Sequence, residues 1–493
     1  MLQPLLGPLT WAFRREARRT MRLVASSGAP DTPPEPVFLY LHVPFCEVLC
    51  PFCSFHRVRH ERDKARRYFA ALRQEIRWYR ARGFRFSGLY VGGGTPTVEP
   101  DELAATLALV QEPGRLADVS VETNPADLTP AILDRLVGAG VTRLSVGVQS
   151  FDDGLLREMG RYEKYGSGAA ILERLGLAAA RFPTVNVDMI FNLPHQDEAL
   201  LERDLDCIAA GPANQVSFYP LMSARATQKK MQLAMGLPDR ARLAHFYARI
   251  LARLRPDFVA ASAWCFNRRV PGDAPGGSDE YVVSAPEYLG LGSGAFSYLG
   301  GRVHAATFSL HSYAGRIARG LPGITGERAL GTRERMRYDL LMRLFGGSLE
   351  RDWVRARYGP RFERALAPEL AALRLVGAVR ADARGWRLTD RGMLLWVLMM
   401  SAFFESVNEL RAQMRARIRD ELDGGARAAG GRDAAQRAAE QASAQSTASG
   451  TTEREVAVPL AALRRRALKI GPGAAPEPTG RADGGPSSRE RRL

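Results

Sequence analysis

Three of the chain's five cysteines fall within eight residues, at Cys46, Cys50 and Cys53. They follow the apolar run Val37 to Val43, which predicts a first β-strand ending at a C-x3-C-x2-C loop. Three thiolates are one fewer than the irons of a cuboidal cluster, so a [4Fe–4S] cluster held there keeps one iron open. An open iron can chelate the amino and carboxylate groups of S-adenosylmethionine (SAM). An electron passed through the cluster then breaks the sulfonium C–S bond to give a 5′-deoxyadenosyl radical, with the protein supplying orientation and exclusion of water. Zinc is the competing reading, because His42, His56 and His60 lie close by, although the x3/x2 spacing is not a usual zinc knuckle. Spacing alone leaves both open. Cys207 falls in a helical pattern and Cys265 in an apolar stretch, so both read as core cysteines. Cysteines grouped this way are a poor disulfide framework and suit a reducing cytoplasm.

The second feature is Gly92-Gly93-Gly94-Thr95-Pro96, which follows the strand-like Leu89-Tyr90-Val91. Consecutive glycines at a strand end let backbone N–H and C=O groups approach a ligand with no Cβ in the way. Glu122, Gln149 and Asp188 then each close a β-type run: Val119 to Glu122, Val146 to Gln149 and Val185 to Asp188. One polar residue in such a place is ordinarily a cap or turn former. Three on successive units point to one rim and a shared polar ligand. Arg161, shortly after Gln149, is placed to pair with a carboxylate or to sit solvated at a helix end.

The elements needed to position these residues are β-type runs alternating with longer helical patterns. The pairs are Gly88 to Val91 with Asp101 to Val110, Val119 to Thr123 with Pro130 to Gly138, and Arg143 to Gly147 with Asp152 to Met159. Val185 to Ile190 with Ala199 to Ala209 and Gln215 to Tyr219 with Arg240 to Leu254 complete them. Such repetition predicts parallel strands with crossover helices, an α/β fold. Six or so units fit a partial or distorted (β/α) barrel better than a closed eightfold one. The chain divides into a basic N-terminal segment and linker (1–36), the barrel (37–326), a helical, winged C-terminal domain (327–425) and a basic tail (426–493). The tail's Ala, Gly, Gln, Ser and Arg composition predicts disorder.

The formal charge of +16 is concentrated in Arg-rich ends, and reads as tail charge rather than a nucleic-acid footprint. A basic arm is also suited to an anionic membrane surface. No run approaches the roughly 18 apolar residues of a membrane span, Met393 to Phe404 being interrupted by Ser401. The N-terminus lacks the pattern of a secretory signal. These features predict a cytoplasmic protein, with peripheral contact at the inner membrane as an option.

Taken in order, the motifs resemble the oxygen-independent coproporphyrinogen III oxidase superfamily of radical SAM proteins. The resemblance runs from about Phe38 to Tyr313. It rests on Tyr-Leu-His-Val-Pro-Phe-Cys (40 to 46), Gly-Gly-Gly-Thr-Pro-Thr (92 to 97), Glu-Thr-Asn-Pro (122 to 125), Ser-Val-Gly-Val-Gln-Ser-Phe (145 to 151), Asn-Val-Asp-Met-Ile-Phe-Asn-Leu-Pro (186 to 194) and Gly-Leu-Gly-Ser-Gly-Ala-Phe (290 to 296). It implies two SAM molecules in one site. Tyr40, Phe52, Gly93, Glu122 and Phe296 would contact the SAM on the cluster. Gly94, Thr95, Gln149, Arg161 and Asp188 would contact the second, joined by Tyr219 or Pro220. An electron donor such as flavodoxin or ferredoxin is implied as well.

Two departures bear on the reaction. Phe55 stands where the authentic decarboxylase typically has a further cysteine. The haem-chaperone branch has Phe there, but its His-Asn-x-x-Tyr-Trp segment is replaced by Tyr-Val-Val-Ser-Ala-Pro-Glu-Tyr (281 to 288). The segments Ser-Ala-Trp-Cys-Phe (262 to 266), Asp-Glu-Tyr (279 to 281), Gly-Ser-Gly-Ala-Phe-Ser-Tyr (292 to 298) and Met-Met-Ser-Ala-Phe-Phe (399 to 404) resemble the class C radical SAM methyltransferases acting on the menaquinone ring at C8. That resemblance implies radical methylation of an sp2 carbon in an aromatic or quinone substrate. Coproporphyrinogen III decarboxylation, on a tetrapyrrole, is the alternative. Haem chaperoning without turnover is a further one, for which His304 and His311 are available.

Overall fold

The computed structural model describes residues 3–20, 22–26, 28–222, 225–270, 285 and 287–414. The proposed tail at 426–493 and most of the 279–288 segment lie outside the described residues. Six strands lie side by side in chain order and pair in parallel: Val37–Val43, Phe86–Gly93, Val119–Thr123, Arg143–Gln149, Thr184–Phe191 and Gln215–Pro220. Tyr288–Leu291 joins parallel to the first. Antiparallel strands extend both sides, giving a thirteen-stranded sheet with two ends that do not meet. The α/β fold is therefore a partial (β/α) barrel.

Helices Arg62–Arg80, Pro100–Gln111, Pro130–Gly138, Gly168–Ala179, Glu198–Ala210 and Leu243–Leu254 are the crossovers and their continuation. Their starts are set locally. Thr129, Ser167 and Asp197 each accept a backbone N–H of the first turn, meeting donors that a helix cannot meet itself. The strands are buried almost throughout, as expected where helices cover a parallel sheet. Apart from Phe86 and Ser87 at the start of the second strand and Gly93 at its end, the breaks fall at Tyr40, Tyr90, Glu122, Gly147, Gln149, Asp188, Ile190 and Tyr219, which are only partly buried. Strand side chains alternate between faces, so these interruptions share the barrel's inner face and mark an internal cavity.

From Thr332 the chain is mainly helical, with helices Thr332–Phe345, Arg351–Tyr358, Arg361–Ala365 and Ala367–Leu375. The last two are separated at Leu366, and Pro368 in the first turn starts the second of them. Val379–Ala381 and Gly385–Leu388 form the expected hairpin, with Ser348–Glu350 as third strand.

Two expectations change here. The N-terminal segment is built in: Gln3–Thr20 is helical, and Val24–Ala25 pairs with the strand Ile324–Ala329. Arg14 and Arg18 form ion pairs with Glu405 and Glu409 at 3.2 and 2.8 Å, so part of the basic excess is internally paired charge. The helix Asp390–Met414 is also long and apolar enough, by length and composition, to cross a membrane. The apolar run is short, but a 25-residue helix with few charges around it meets the test. Half of its most apolar window is buried within the chain, with Leu395, Trp396, Val397 and Met400 in the core.

Candidate active site

The cavity at the strands' C-terminal ends is about 330 Å³. It is lined by all three loop cysteines and by every expected ligand-contacting residue except Phe296. Phe296 stands beside it, packed on Phe308 and beneath the Arg411 guanidinium, 5.9 Å from the ring centre.

Contacts from three directions shape the cysteine loop. The Arg57 guanidinium donates to the carbonyl oxygens of Cys50 and Cys53 at 2.5 and 2.6 Å, folding the loop on itself. Arg161 donates to the Cys50 sulfur at 3.5 Å, and the Thr95 hydroxyl approaches the Cys46 sulfur at 3.8 Å. Lys164 pairs with Glu47 inside the loop. Burial first, and neighbouring Cys53 next, push the Cys46 thiol up to about 11. The Cys46 thiol therefore favours the protonated form, and cluster binding would have to displace that proton.

The histidines that zinc would recruit are engaged elsewhere. His42 Nε2 lies 2.9 Å from the His56 carbonyl, His56 Nε2 faces Ser293 Oγ at 3.2 Å, and His60 Nε2 pairs with Glu99 at 2.9 Å. Among the described residues no three His, Cys, Asp or Glu side chains gather around a single-ion position. A closed tetrahedral zinc site needs four ligands, so the donors fit a three-cysteine cluster better. The His42 contacts also set a tautomer. A carbonyl accepts only, so Nε2 carries the proton and Nδ1 accepts from the Tyr40 hydroxyl, 2.9 Å away.

The glycine run works differently from the sequence expectation. Gly93 N–H donates to Glu122 at 2.8 Å and Gly94 N–H to the Val43 carbonyl at 2.8 Å, so those donors are not offered to a ligand. Their main role is close approach: a Cβ on Gly94 would lie 2.5 Å from the Phe45 carbonyl oxygen, and Gly93 has φ +121°. Only glycine lets this turn press against the cysteine loop.

Deeper in, Glu122 accepts from the Tyr90 hydroxyl at 2.9 Å as well as from Gly93. Burial raises its carboxyl to about 7, and Asp188 adds to the rise while Gly93, Tyr90 and Arg143 oppose it. Asp188 accepts from Ser145 and Asn186 at 2.9 and 2.8 Å and is likewise raised, chiefly by burial. Gln149 has φ +79°, rare for a side-chain-bearing residue. The next turn is held by the buried Asp204, which accepts from Phe151 N–H at 2.7 Å and from Ser150. Among the described residues Arg161 pairs with no protein carboxylate. It donates to the Gly147 carbonyl and to Cys50, and lies 4.3 Å over the Tyr165 ring. Among the described residues its buried Nε has no acceptor, a cost of about 1–3 kcal/mol.

Sequence reasoning missed Arg57, Tyr90, Arg143, Tyr165 and Asn408 and did not single out Trp264 or Phe404, although all line the cavity. Arg143 opening an apolar strand was a legible signal. Phe404, Asn408 and Arg411 share a helix face by their four- and three-residue spacing, but which face meets the cavity depends on packing. His304 is buried, 3.7 Å from Glu327, and does not line the cavity.

Comparison with known proteins gives a consistent picture. Residues 40–208 match the Radical SAM superfamily. The chain is 30% identical to the haem chaperone HemW of Mycobacterium tuberculosis, covering 75% of this chain and 95% of that one. It is 38% identical over 171 residues to the oxygen-independent coproporphyrinogen III oxidase of Cereibacter sphaeroides, which is 32% of this chain and 37% of that one. Among solved structures, Escherichia coli coproporphyrinogen III oxidase (HemN), titled a radical SAM enzyme, superposes with a TM-score of 0.63. The match is 25% identical and covers 80% of this chain and 93% of that one.

Proposed function

The chain belongs to the radical SAM superfamily, in the family that includes coproporphyrinogen III oxidase and HemW, and on that premise we propose that it is an enzyme that cleaves SAM reductively and turns the product on a ring compound in the same cavity. Members of the superfamily use a [4Fe–4S] cluster and SAM. The supporting observation is convergence: Cys46, Cys50 and Cys53 share one cavity with Glu122, Gln149, Arg161 and Asp188.

When bound, the cluster supplies an open iron and the electron that breaks the sulfonium bond. The chain supplies placement. Arg57 holds the loop carbonyls, Tyr40 lines the cavity, and Glu122 presents an acceptor for the amino and hydroxyl groups of SAM. The Arg161 guanidinium, which lines the cavity and is bonded to neutral groups, offers a cation to a carboxylate. Gly94, Thr95, Gln149, Arg161 and Asp188 form the proposed place for a second SAM. Flavodoxin or ferredoxin is the proposed reductant class.

The names of the relatives put tetrapyrrole chemistry first, as oxidative decarboxylation of coproporphyrinogen III, with haem chaperoning beside it. Quinone methylation, the leading expectation from sequence, moves to second place because none of the relatives reported above is a methyltransferase. It is retained for one reason, the apolar wall of Leu221, Met222, Trp264 and Phe404 in the cavity. The test is anaerobic reconstitution of the full chain with iron and sulfide, then dithionite, SAM and, in separate reactions, coproporphyrinogen III and menaquinone. We expect 5′-deoxyadenosine, abolished in Cys50→Ser, and one converted substrate. Tight haem binding with no deoxyadenosine under any condition would replace the enzymatic reading with a chaperone.

A further inference from the structure

The strand Arg143–Gln149 is irregular at its end. Gly147 pairs with Asp188 and Gln149 with Met189, which leaves Val148 out of the ladder as a bulge. Met189 is in the core with no exposed surface, and residues opposite one another on paired strands share a face. Gln149 nevertheless lines the cavity. The bulge and the φ of +79° are what turn it inward, since a bulge re-aims the side chain beside it. Such backbone persists only where its neighbours over-determine it.

The neighbours that hold Gln149 lie outside the cavity. Asp204, on the helix Glu198–Ala210 and 1% exposed, accepts from Phe151 N–H at 2.7 Å and from the Ser150 hydroxyl at 2.9 Å. The Ser150 hydroxyl in turn accepts from Asp152 N–H at 3.1 Å. The three residues after Gln149 are thus tied, directly or through one hydroxyl, to a single carboxyl. That carboxyl also faces the Gln196 amide nitrogen at 3.5 Å, and the Gln196 oxygen accepts from Leu193 N–H at 3.3 Å. Leu193 follows Asn192, which is the other side-chain-bearing residue with positive φ among the described residues, at +63°. The strained exits of two neighbouring strands therefore meet at one buried acid. Burial pushes Asp204 up to about 7 against the pull of Phe151 and Ser150, and a buried carboxyl costs stability that an apolar side chain would not. Asp204, Ser150 and Phe151 do not line the cavity, so Asp204 acts on a ligand through the turn that aims Gln149.

We propose that Asp204 is a positioning residue for the second SAM: by holding the Phe151 N–H and the Ser150 hydroxyl, it fixes the bulged Gln149 with its side chain turned into the cavity. The proposal rests on the reading above that Gln149 contacts a second SAM. The test is equilibrium dialysis of SAM against the full chain reconstituted with labelled iron and sulfide, without reductant. SAM on the cluster is followed by the change it makes in the Mössbauer spectrum, and uptake beyond that is the second site. The wild type is expected to take up both. Gln149→Ala should weaken the second SAM about 3- to 10-fold and leave the first unchanged, and Asp204→Ala should do the same. The combined variant should bind about as weakly as the weaker single one, because the two residues act as one unit. Ser150→Ala, a milder change, should weaken the second SAM in the same sense and without multiplying the effect of Gln149→Ala, and it decides the matter if Asp204→Ala does not fold. Losses that multiply in the combined variants, a second SAM bound as in the wild type by Ser150→Ala and any folded Asp204→Ala, or equal weakening of both SAM molecules overturns the proposal and leaves the two-SAM reading in place. A wild type that takes up SAM on the cluster alone overturns that reading, and the role of Asp204 with it.

Discussion

Glu122 is a cavity carboxyl whose charge changes near neutral pH, because burial lifts it to about 7. Its folded value lies above the ordinary one of 4.5, so its contribution to stability is full below that value. The contribution declines as the unfolded chain ionises and the folded one does not, and it levels off above about 7. Binding should run the other way. If SAM is received by the ionised carboxylate, the competent fraction rises from about a tenth at pH 6 to about nine tenths at pH 8, and affinity rises about tenfold with it. Calorimetric SAM titrations at those two values would show this, and Glu122→Gln should flatten the slope while lowering affinity. A wild-type affinity that does not change across the range assigns the acceptor role to another group.

At the scale of elements, the long helix Asp390–Met414 forms part of the cavity's cover, lining it through Phe404 and Asn408. It touches the cysteine loop just past Cys53, through Asn408 on Ser54 and the Arg411 guanidinium 5.4 Å over Phe55. Removing one such hydrogen bond costs about 1 kcal/mol, small for the fold but local to the cluster's cover. Asn408→Ala should therefore shift the urea midpoint little while hastening the loss of the cluster's visible absorbance in air. Equal bleaching rates in variant and wild type would mean that solvent reaches the loop by another side. The helix also shows where sequence reading stops. The cysteine loop, the glycine run and the polar strand ends were legible because their chemistry is set by spacing and strand alternation within short segments. The roof was not, because Asn408 and Ser54 are brought together by packing across 354 positions. The glycines were read as a close approach to a ligand, and the approach seen among the described residues is to the Phe45 backbone. No local pattern separates those two cases.

For the whole molecule, the question is what keeps that roof on an unclosed barrel. Two kinds of contact compete. Arg14 and Arg18 on the N-terminal helix pair with Glu405 and Glu409, but all four side chains are partly solvated, and such pairs are typically worth under about 1 kcal/mol each. Trp396 is 1% exposed, belongs to the hydrophobic core that joins barrel and C-terminal helices, and donates its indole N–H to the Leu341 carbonyl at 2.8 Å. Truncating it empties a large volume and leaves that carbonyl without its donor, so Trp396→Ala should lower unfolding stability by about 3–5 kcal/mol. Arg14→Ala with Arg18→Ala should together remove less than about 2 kcal/mol. Urea unfolding of the two variants decides between them. The predicted order means that apolar packing holds the roof and that high salt leaves the cavity covered. The reverse order would make the N-terminal helix a charged clasp, and the cover over the cavity would then loosen as ionic strength rises.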